Sequence, residues 1–192
     1  MRDDAVRTRL RPAYSADELA QLYATPHEHT RWADHVLRVI TTIGVAQWMI
    51  GQYQCRSVAD LSCGDATIAR ALNLPVTVLG DLAPGYDVRG PIEQTLDTLD
   101  PVDLFVCSET VEHLDDPDEV LRRIAGKADT LVLSTPIGET DTGNPEHYWG
   151  WDVEDVTDML VGAGWSITTT VIVKLPGWTY SYQIHGCRKR GA

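Results

Sequence analysis

No apolar run in this 192-residue chain approaches the length of a membrane span, and Met-Arg-Asp-Asp-Ala-Val-Arg at its start lacks the apolar segment of a secretory signal. A cytoplasmic protein with no membrane partner is the expectation. Lysine is scarce, with only Lys127, Lys174 and Lys189, and all bases together number 16 against 28 acids. The formal charge of −12 provides no basic face for a phosphate backbone, so nucleic acid is not an expected partner. Cys55, Cys63, Cys107 and Cys187 are scattered without a Cys-x-x-Cys pair, which fits reduced thiols. Internal repeats and low-complexity segments are missing too. What remains is 43% hydrophobic, enough for one domain with its own core.

The stretch Val58-Ala-Asp-Leu-Ser-Cys-Gly-Asp-Ala66 carries the most information. It reads as a short buried strand ending in Asp60, then a tight turn of small residues, Ser62, Cys63, Gly64 and Ala66. A helix over Thr67 to Leu72 follows at once. Small residues let the backbone approach a ligand closely, and Gly64 permits a positive φ. The helix would direct its N-terminal amides toward the same spot.

Hydrophobic periodicity and turn residues order the rest. Ser15 and Glu18 form a capping box for a helix over Tyr14 to Ala24, broken by Pro26. A longer helix is predicted over Thr30 to Gln52, with Trp32, Val36, Val39, Ile40, Ile43 and Ala46 on its apolar side. Strands follow at Ser57 to Asp60 and Val76 to Gly80, then a stub near Val88-Arg89-Gly90 and a short helix near Ile92 to Leu99. Asp103 to Ser108 is a clear strand. Pro117 opens a helix that carries Val120, Leu121 and Ile124 on one face. A strand over Thr130 to Ser134, a polar loop, a helix starting near Asp152 and two closing strands, Ser166 to Leu175 and Tyr180 to Cys187, complete the chain. Alternating strands and helices imply an α/β fold on a mostly parallel sheet. Residues 1–54 are expected as an N-terminal helical extension on a single unit spanning 55–192.

Ligands of an open α/β sheet bind beyond the carboxyl ends of its strands, and that rule gathers the chemistry into one place. Asp60 ends one strand, and Asp81, 21 residues on, ends the next. A carboxylate there can accept both hydroxyls of a ribose. Ser108 to Leu114 and Ser134-Thr135-Pro136 end two more strands.

Here a family resemblance becomes specific. The Asp60 turn looks like the Asp-x-Gly-x-Gly-x-Gly loop of class I S-adenosylmethionine (SAM) methyltransferases, with Ser62 and Ala66 at two of its glycine positions. Asp-Leu-Phe-Val-Cys-Ser-Glu-Thr-Val-Glu-His-Leu (103–114), Leu-Val-Leu-Ser-Thr-Pro (131–136) and His147-Tyr148-Trp149 extend the match. So does Val153-Glu154-Asp155-Val156 running into Gly162-Ala-Gly-Trp165. Together they resemble the ubiquinone-biosynthesis-like and type 11/12 branch, over about residues 57 to 187. The resemblance implies a Rossmann-like seven-stranded sheet of order 3-2-1-4-5-7-6, strand seven antiparallel, with helices on both faces.

It also implies SAM as cofactor, with S-adenosylhomocysteine (SAH) as product. Asp60 and the backbone of Ser62, Cys63 and Gly64 would hold the methionyl part, and Asp81 the ribose. Leu82 would pack on adenine, Glu93 would sit near its amine, and Ser108 and Glu109 would line the methionyl side. Transfer to a hydroxyl of a small molecule or glycan needs placement above all, and removal of one proton. His113 and His147 are the candidate bases, His147 favoured because its loop should cap the acceptor pocket. Near the N-terminus, His27, His29, Trp32 and His35 are read as a lid offering acceptor contacts, as is Tyr148 on the capping loop. Plain helix packing is the alternative. No metal is expected: Asp115-Asp116 reads as a helix start before Pro117.

Two rival functions stay open. A nicotinamide dehydrogenase would want a fuller Gly-x-Gly-x-x-Gly and no acid before the turn, where Asp60 sits. A catalytically silent SAM-binding or scaffold protein would account for Ser62 and Ala66 as lost glycines. The absence of an Asn/Asp-Pro-Pro-Tyr motif argues against methylation of DNA bases. The sequence leaves acceptor identity and oligomeric state open.

Overall fold

Leu104 and Val106 of the central strand point into one core, and Phe105 and Cys107 point into another. That two-residue period, apolar on both sides, is what a sheet covered by helices on both faces requires. The computed structural model describes residues 7–24, 33–140, 144–174, 176–178 and 181–192. In chain order its elements are β1 (Thr8–Arg9), α1 (Ala16–Leu22), α2 (Ala33–Tyr53), β2 (Ser57–Asp60), α3 (Thr67–Ala71), β3 (Val76–Asp81) and β4 (Val88–Arg89). There follow α4 (Ile92–Thr95), β5 (Val102–Ser108), α5 (Pro117–Ile124), β6 (Ala128–Ile137), β7 (Trp149–Gly150), α6 (Val153–Gly162), β8 (Trp165–Val173) and β9 (Ser181–Lys189).

The described strands form a seven-stranded sheet of order β4-β3-β2-β5-β6-β9-β8. Numbered within the sheet, this is the expected 3-2-1-4-5-7-6. β2 pairs in parallel with β3 and β5, and β5 with β6, while β9 runs antiparallel to both β6 and β8. The order reverses between β2 and β5, so a crevice opens at their carboxyl ends, where Asp60 and Ser108 stand. One core lies beneath α4, α5 and α6, with Trp165, Leu121 and Leu160 fully buried. The other joins α2 and α3 to the opposite face through Met49, Val58, Val106 and Ile184.

Local sequence explains where several helices begin. Ser15 and Glu18 make the capping box of α1, and Asp152 and Asp155 make one for α6. Asp116 caps α5 through the Glu119 amide, with Pro117 in the first turn, so the acidic pair is a helix start. All four cysteines are buried, free thiols.

Of the apolar face predicted for the long helix, Val39, Ile43 and Ala46 pack on the core, and Val36 and Ile40 need correction. Val36 is 38% exposed and Ile40 60%, whereas α2 buries Arg38, Thr42, Val45, Ala46 and Met49. The helix lies with a polar stripe over the ligand end of the sheet and an apolar one over its middle. Arg38 tolerates burial because partners on β5 and the loop after it meet its charge. A second departure is a ribbon absent from the sequence reading: β1 pairs antiparallel with β7, tying the N-terminal segment to the loop after β6.

Candidate functional site

The turn after β2 holds its shape through main-chain bonds. The Cys63 amide donates to the Gly80 carbonyl at 3.0 Å, and the Ala66 amide to the Cys63 carbonyl at 2.7 Å. Gly64 adopts φ 55° and Ala66 φ 60°. Ala66 therefore keeps, at about 1–2 kcal/mol of strain, the left-handed geometry that a glycine would take freely. Asp81 at the end of β3 locks the turn from outside, its two oxygens accepting from the Gly64 amide at 2.8 Å and the Ala83 amide at 2.9 Å. A carboxylate has about four lone-pair sites, so two remain for a ligand. The Tyr86 hydroxyl donates to the Gly64 carbonyl from the far side.

Asp60 is 2% exposed and accepts from the Ser62 amide at 3.2 Å. Burial raises its pKa to about 7; the Ser62 amide opposes the rise, and the charge of Asp81 adds to it. A buried acid on a cleft wall is costly to ionise unless a cation meets it. Burial likewise pushes the Cys63 and Cys107 thiols well above their ordinary range, which suits filler rather than nucleophile.

Across the crevice stands a residue that the sequence reading left unassigned. Arg38, 2% exposed, donates from Nη1 to Ser108 Oγ at 2.7 Å, and its Nε lies 3.8 Å from Glu109 Oε2. That Nε makes no hydrogen bond among the described residues. Ser134 Oγ bridges the group, 2.8 Å from Ser108 Oγ and donating to Glu109 Oε1 at 3.1 Å. Glu109 itself has φ 52°, a conformation uncommon for a side-chain-bearing residue. Burial raises the Glu109 pKa, opposed first by Arg38. Arg38, Asp60, Ser62, Cys63 and Ser108 together line one pocket.

Beyond Glu109 lies a cluster of imidazoles and a carboxyl. Glu112 is fully buried, with Oε2 accepting from Thr135 Oγ1 at 3.1 Å. Burial pushes its pKa well up, and the charge of Glu109 adds to the rise. His113 and His147 meet edge to face at 5.0 Å between ring centroids. His147 Nδ1 lies 2.6 Å from Glu139 Oε2, and His113 Nδ1 lies 3.1 Å from the Glu146 carbonyl and 3.0 Å from the Tyr23 hydroxyl. A carbonyl and a carboxylate only accept, so both rings carry their proton on Nδ1 and present Nε2 as the basic nitrogen. The N-terminal segment closes over this end. Arg11 donates to the Glu146 carbonyl at 3.1 Å, and Tyr14 to the Pro145 carbonyl at 3.0 Å.

The fold thus brings Asp60, Ser62, Cys63, Gly64, Asp81, Ser108, Glu109, His113 and His147 to the carboxyl edge of the sheet. Leu82 is half-buried just past β3, and Glu93 occupies the first turn of α4. Tyr148 is buried beneath the guanidinium groups of Arg9 and Arg11, 5.7 and 5.0 Å from its ring. His35 is half-buried on α2, its ring 5.9 Å from that of Tyr182. His27, His29 and Trp32 lie outside the described residues. Arg38 and Glu112 had one faint signal each. Arg38 falls on the helix face of His35 and Thr42, and Glu112 sits beside His113 in a strand-end motif.

No protein-family model matches the sequence, and no curated protein does so either. Solved structures match well in shape. The 1,6-didemethyltoxoflavin-N1-methyltransferase of Burkholderia thailandensis, solved with its substrate and SAH, aligns at TM-score 0.64 and 18% identity over 98% of both chains. The N-methyltransferase NodS of Bradyrhizobium japonicum, with SAH, aligns at 0.69 and 11%, over 90% of this chain and 97% of that one. The magnesium protoporphyrin IX methyltransferase of Synechocystis, with SAH, gives 0.63 and 16%, over 90% and 94%. The chain therefore has the fold of the class I SAM-dependent methyltransferases.

Proposed function

We propose that this chain is a SAM-dependent methyltransferase acting on a small-molecule or glycan acceptor, with a hydroxyl as the methylated group. The observation that carries the reading is the paired end of β2 and β3. There the Gly64 amide is bound to Asp81 and the buried Asp60 stands beside a small-residue turn.

The residues present fit SAM chemically. Asp60 supplies a desolvated acid for a cationic group, and Arg38, whose Nε makes no hydrogen bond among the described residues, supplies a donor for a carboxylate. Asp81 has acceptor capacity left for ribose hydroxyls. In this reading Leu82 would pack on the adenine and Glu93 would meet its amine. When bound, SAM supplies a methyl group already activated on a sulfonium sulfur.

The chain's own work is positioning, exclusion of water and handling of one proton. Arg38, held by Ser108 and Glu109, fixes one side of the crevice. The N-terminal segment, anchored on the 144–150 loop by Arg11, Tyr14 and the β1–β7 ribbon, shields the other. Residues 1–54 act in this reading as lid rather than separate domain. His147, its Nδ1 held by Glu139 and its Nε2 meeting the Asn144 amide at 3.0 Å, takes up the acceptor proton at Nε2 when the acceptor displaces that amide, with His113 alongside.

Isothermal titration of the purified chain with SAM and SAH tests the cofactor. Binding of both, lost in Asp81→Ala, is the expected result, and no binding of either by folded protein overturns the reading. Unchanged turnover on an identified acceptor after replacing His113 and His147 with alanine would remove the proposed base.

A further inference from the structure

We infer that the outward face of α2 docks a second copy of this chain, with the two helices meeting antiparallel at a two-fold axis near Gly44. From Val39 to Tyr53 the helix carries no Asp, Glu, Lys, Arg or His, in a chain of formal charge −12. Its inward side packs on the core through Val45, Ala46 and Met49. The other side is apolar as well, yet it stands in solvent: Val36 is 38% exposed, Ile40 60% and Trp48 47%. A helix apolar all round is a buried helix, and no helix among the described residues is long and apolar enough to cross a membrane. The single chain covers one side of α2 and leaves the other for a neighbour.

Two glycines on the same outward face support this. Gly44 and Gly51 are exposed in the body of the helix, where glycine is weaker than alanine, so each needs a reason. None comes from within the chain: a Cβ added at either position meets nothing within 4 Å. Smallness there serves the close approach of another backbone. Val36, Ile40, Gly44, Gln47 and Gly51 recur at intervals of three and four residues, the spacing of a helix-packing seam. Gly44 sits midway between Ile40 and Trp48. A two-fold axis there brings glycine against glycine and sets Trp48 against Ile40 of the partner subunit, so the face is self-complementary. Charge selects the occupant. Chains of equal negative charge meet most easily where neither carries any, and this face is such a place. A basic partner would be drawn to the acidic surface instead. Helices that lie on membranes present Lys and Arg beside their apolar face, whereas the only Lys or Arg of α2 is Arg38, which is buried. Arg38 and Thr42 are on the opposite side of the helix, so a partner seated here leaves the crevice at Asp60 and Ser108 uncovered. One helix face about 30 Å long is small beside the roughly 800 Å² per partner of a standard interface, so the dimer should come apart on dilution.

The test is sedimentation velocity of the full, untagged chain from about 1 to about 200 μM, where the mass should rise from one chain to two. Raising salt from about 50 to about 500 mM should move that rise to lower concentration, because it screens the −12 on each copy. Gly44→Glu and Trp48→Glu alter exposed positions, so native circular dichroism should be kept while the dimer weakens at least tenfold. Gly44→Glu should also raise the thermal midpoint of the dilute chain, since glutamate is the better helix former; a glycine needed by the monomer would lower it. On mild oxidation Gly44→Cys should cross-link copy to copy, the four native thiols being buried, a gain of signal that needs no loss of folding. A chain that stays single at the highest concentration, a dimer weakened by salt or untouched by both glutamates, or no cross-link in Gly44→Cys would overturn the inference. So would a dimer lost only in Ile172→Glu, which puts the contact on the open edge of β8, or flotation of single chains with phosphatidylcholine vesicles, which gives the face to lipid.

Discussion

Replacing Asp60 with asparagine should stabilise the ligand-free protein and cripple cofactor binding at once. Asp60 is 2% exposed, and burial raises its pKa from 3.8 to about 7. The native state therefore holds a proton that the unfolded chain has released between those values. Wild-type stability attributable to Asp60 falls as pH rises through that window and levels off above about 7. A shift of about three pH units corresponds to about 4 kcal/mol once the group is ionised in both states. The asparagine keeps the acceptor for the Ser62 amide, and desolvating its NH₂ takes back about 1–2 kcal/mol. Asp60→Asn should thus gain about 2–3 kcal/mol at pH 8. The wild type recovers most of that difference by pH 4.5, when its own Asp60 is protonated in the fold. Urea unfolding of both proteins from pH 4.5 to 8 measures the difference directly, so other titrating groups cancel. SAM titration on the same samples should show affinity falling at least tenfold. A variant less stable than wild type at pH 8, or a difference flat with pH, would refute the argument that Asp60 is a destabilised ligand-binding acid.

Three further outcomes follow from local geometry. Gln54 ends α2 at φ 55°, exposed, while the Cys55 amide donates to the Ile50 carbonyl at 3.2 Å in a Schellman arrangement. Gln54→Gly should therefore add about 1 kcal/mol, raising the thermal midpoint by about 2–4 °C in calorimetry; a lower midpoint would contradict it. Arg38→Ala strands Glu109 and Ser108 and should cost about 3–5 kcal/mol in chemical denaturation. Adding Glu109→Gln should recover about 1 kcal/mol or more of that loss, and strict additivity would dismiss the pair. Burial lowers the His185 pKa from 6.5 to about 4, so the unfolded chain takes up that proton first. The share of stability due to His185 should fall by about 3 kcal/mol as pH drops through that window, so the wild type minus His185→Gln difference in urea unfolding should change by about that amount between pH 7.5 and 4.5, and a difference flat with pH would contradict it.

The strands were legible because β-branched and apolar runs alternate with helix signals at short spacing, and their order because of the family resemblance that the strand-end motifs carry. Val76 to Gly80 and Asp103 to Ser108 differ from β3 and β5 by one residue each. The Asp60 turn was legible too, since Gly64 and its small neighbours have few other uses there. What stayed hidden depends on contacts distant along the chain. Arg38 meets Ser108 across 70 residues, and Arg11 meets Glu146 across 135. A single arginine amid helical residues reads as solvated until the sheet edge beneath it is known, which is why the predicted stripe of α2 took in Val36 and Ile40 and left out Arg38. The cluster of Glu112, His113 and His147 shows the same limit. His113 and His147 stood out as titratable residues, but Glu139, which holds the ring of His147, is set by the main chain opposite. A side chain at Gly150 would overlap the Glu139 carbonyl, so the glycine lets the 139–150 loop close until Glu139 reaches His147. Gly150 touches no ligand, and its contribution is the absence of an atom. Only the closed loop explains it: the site depends on how near two stretches of backbone can come as much as on the groups that face the substrate.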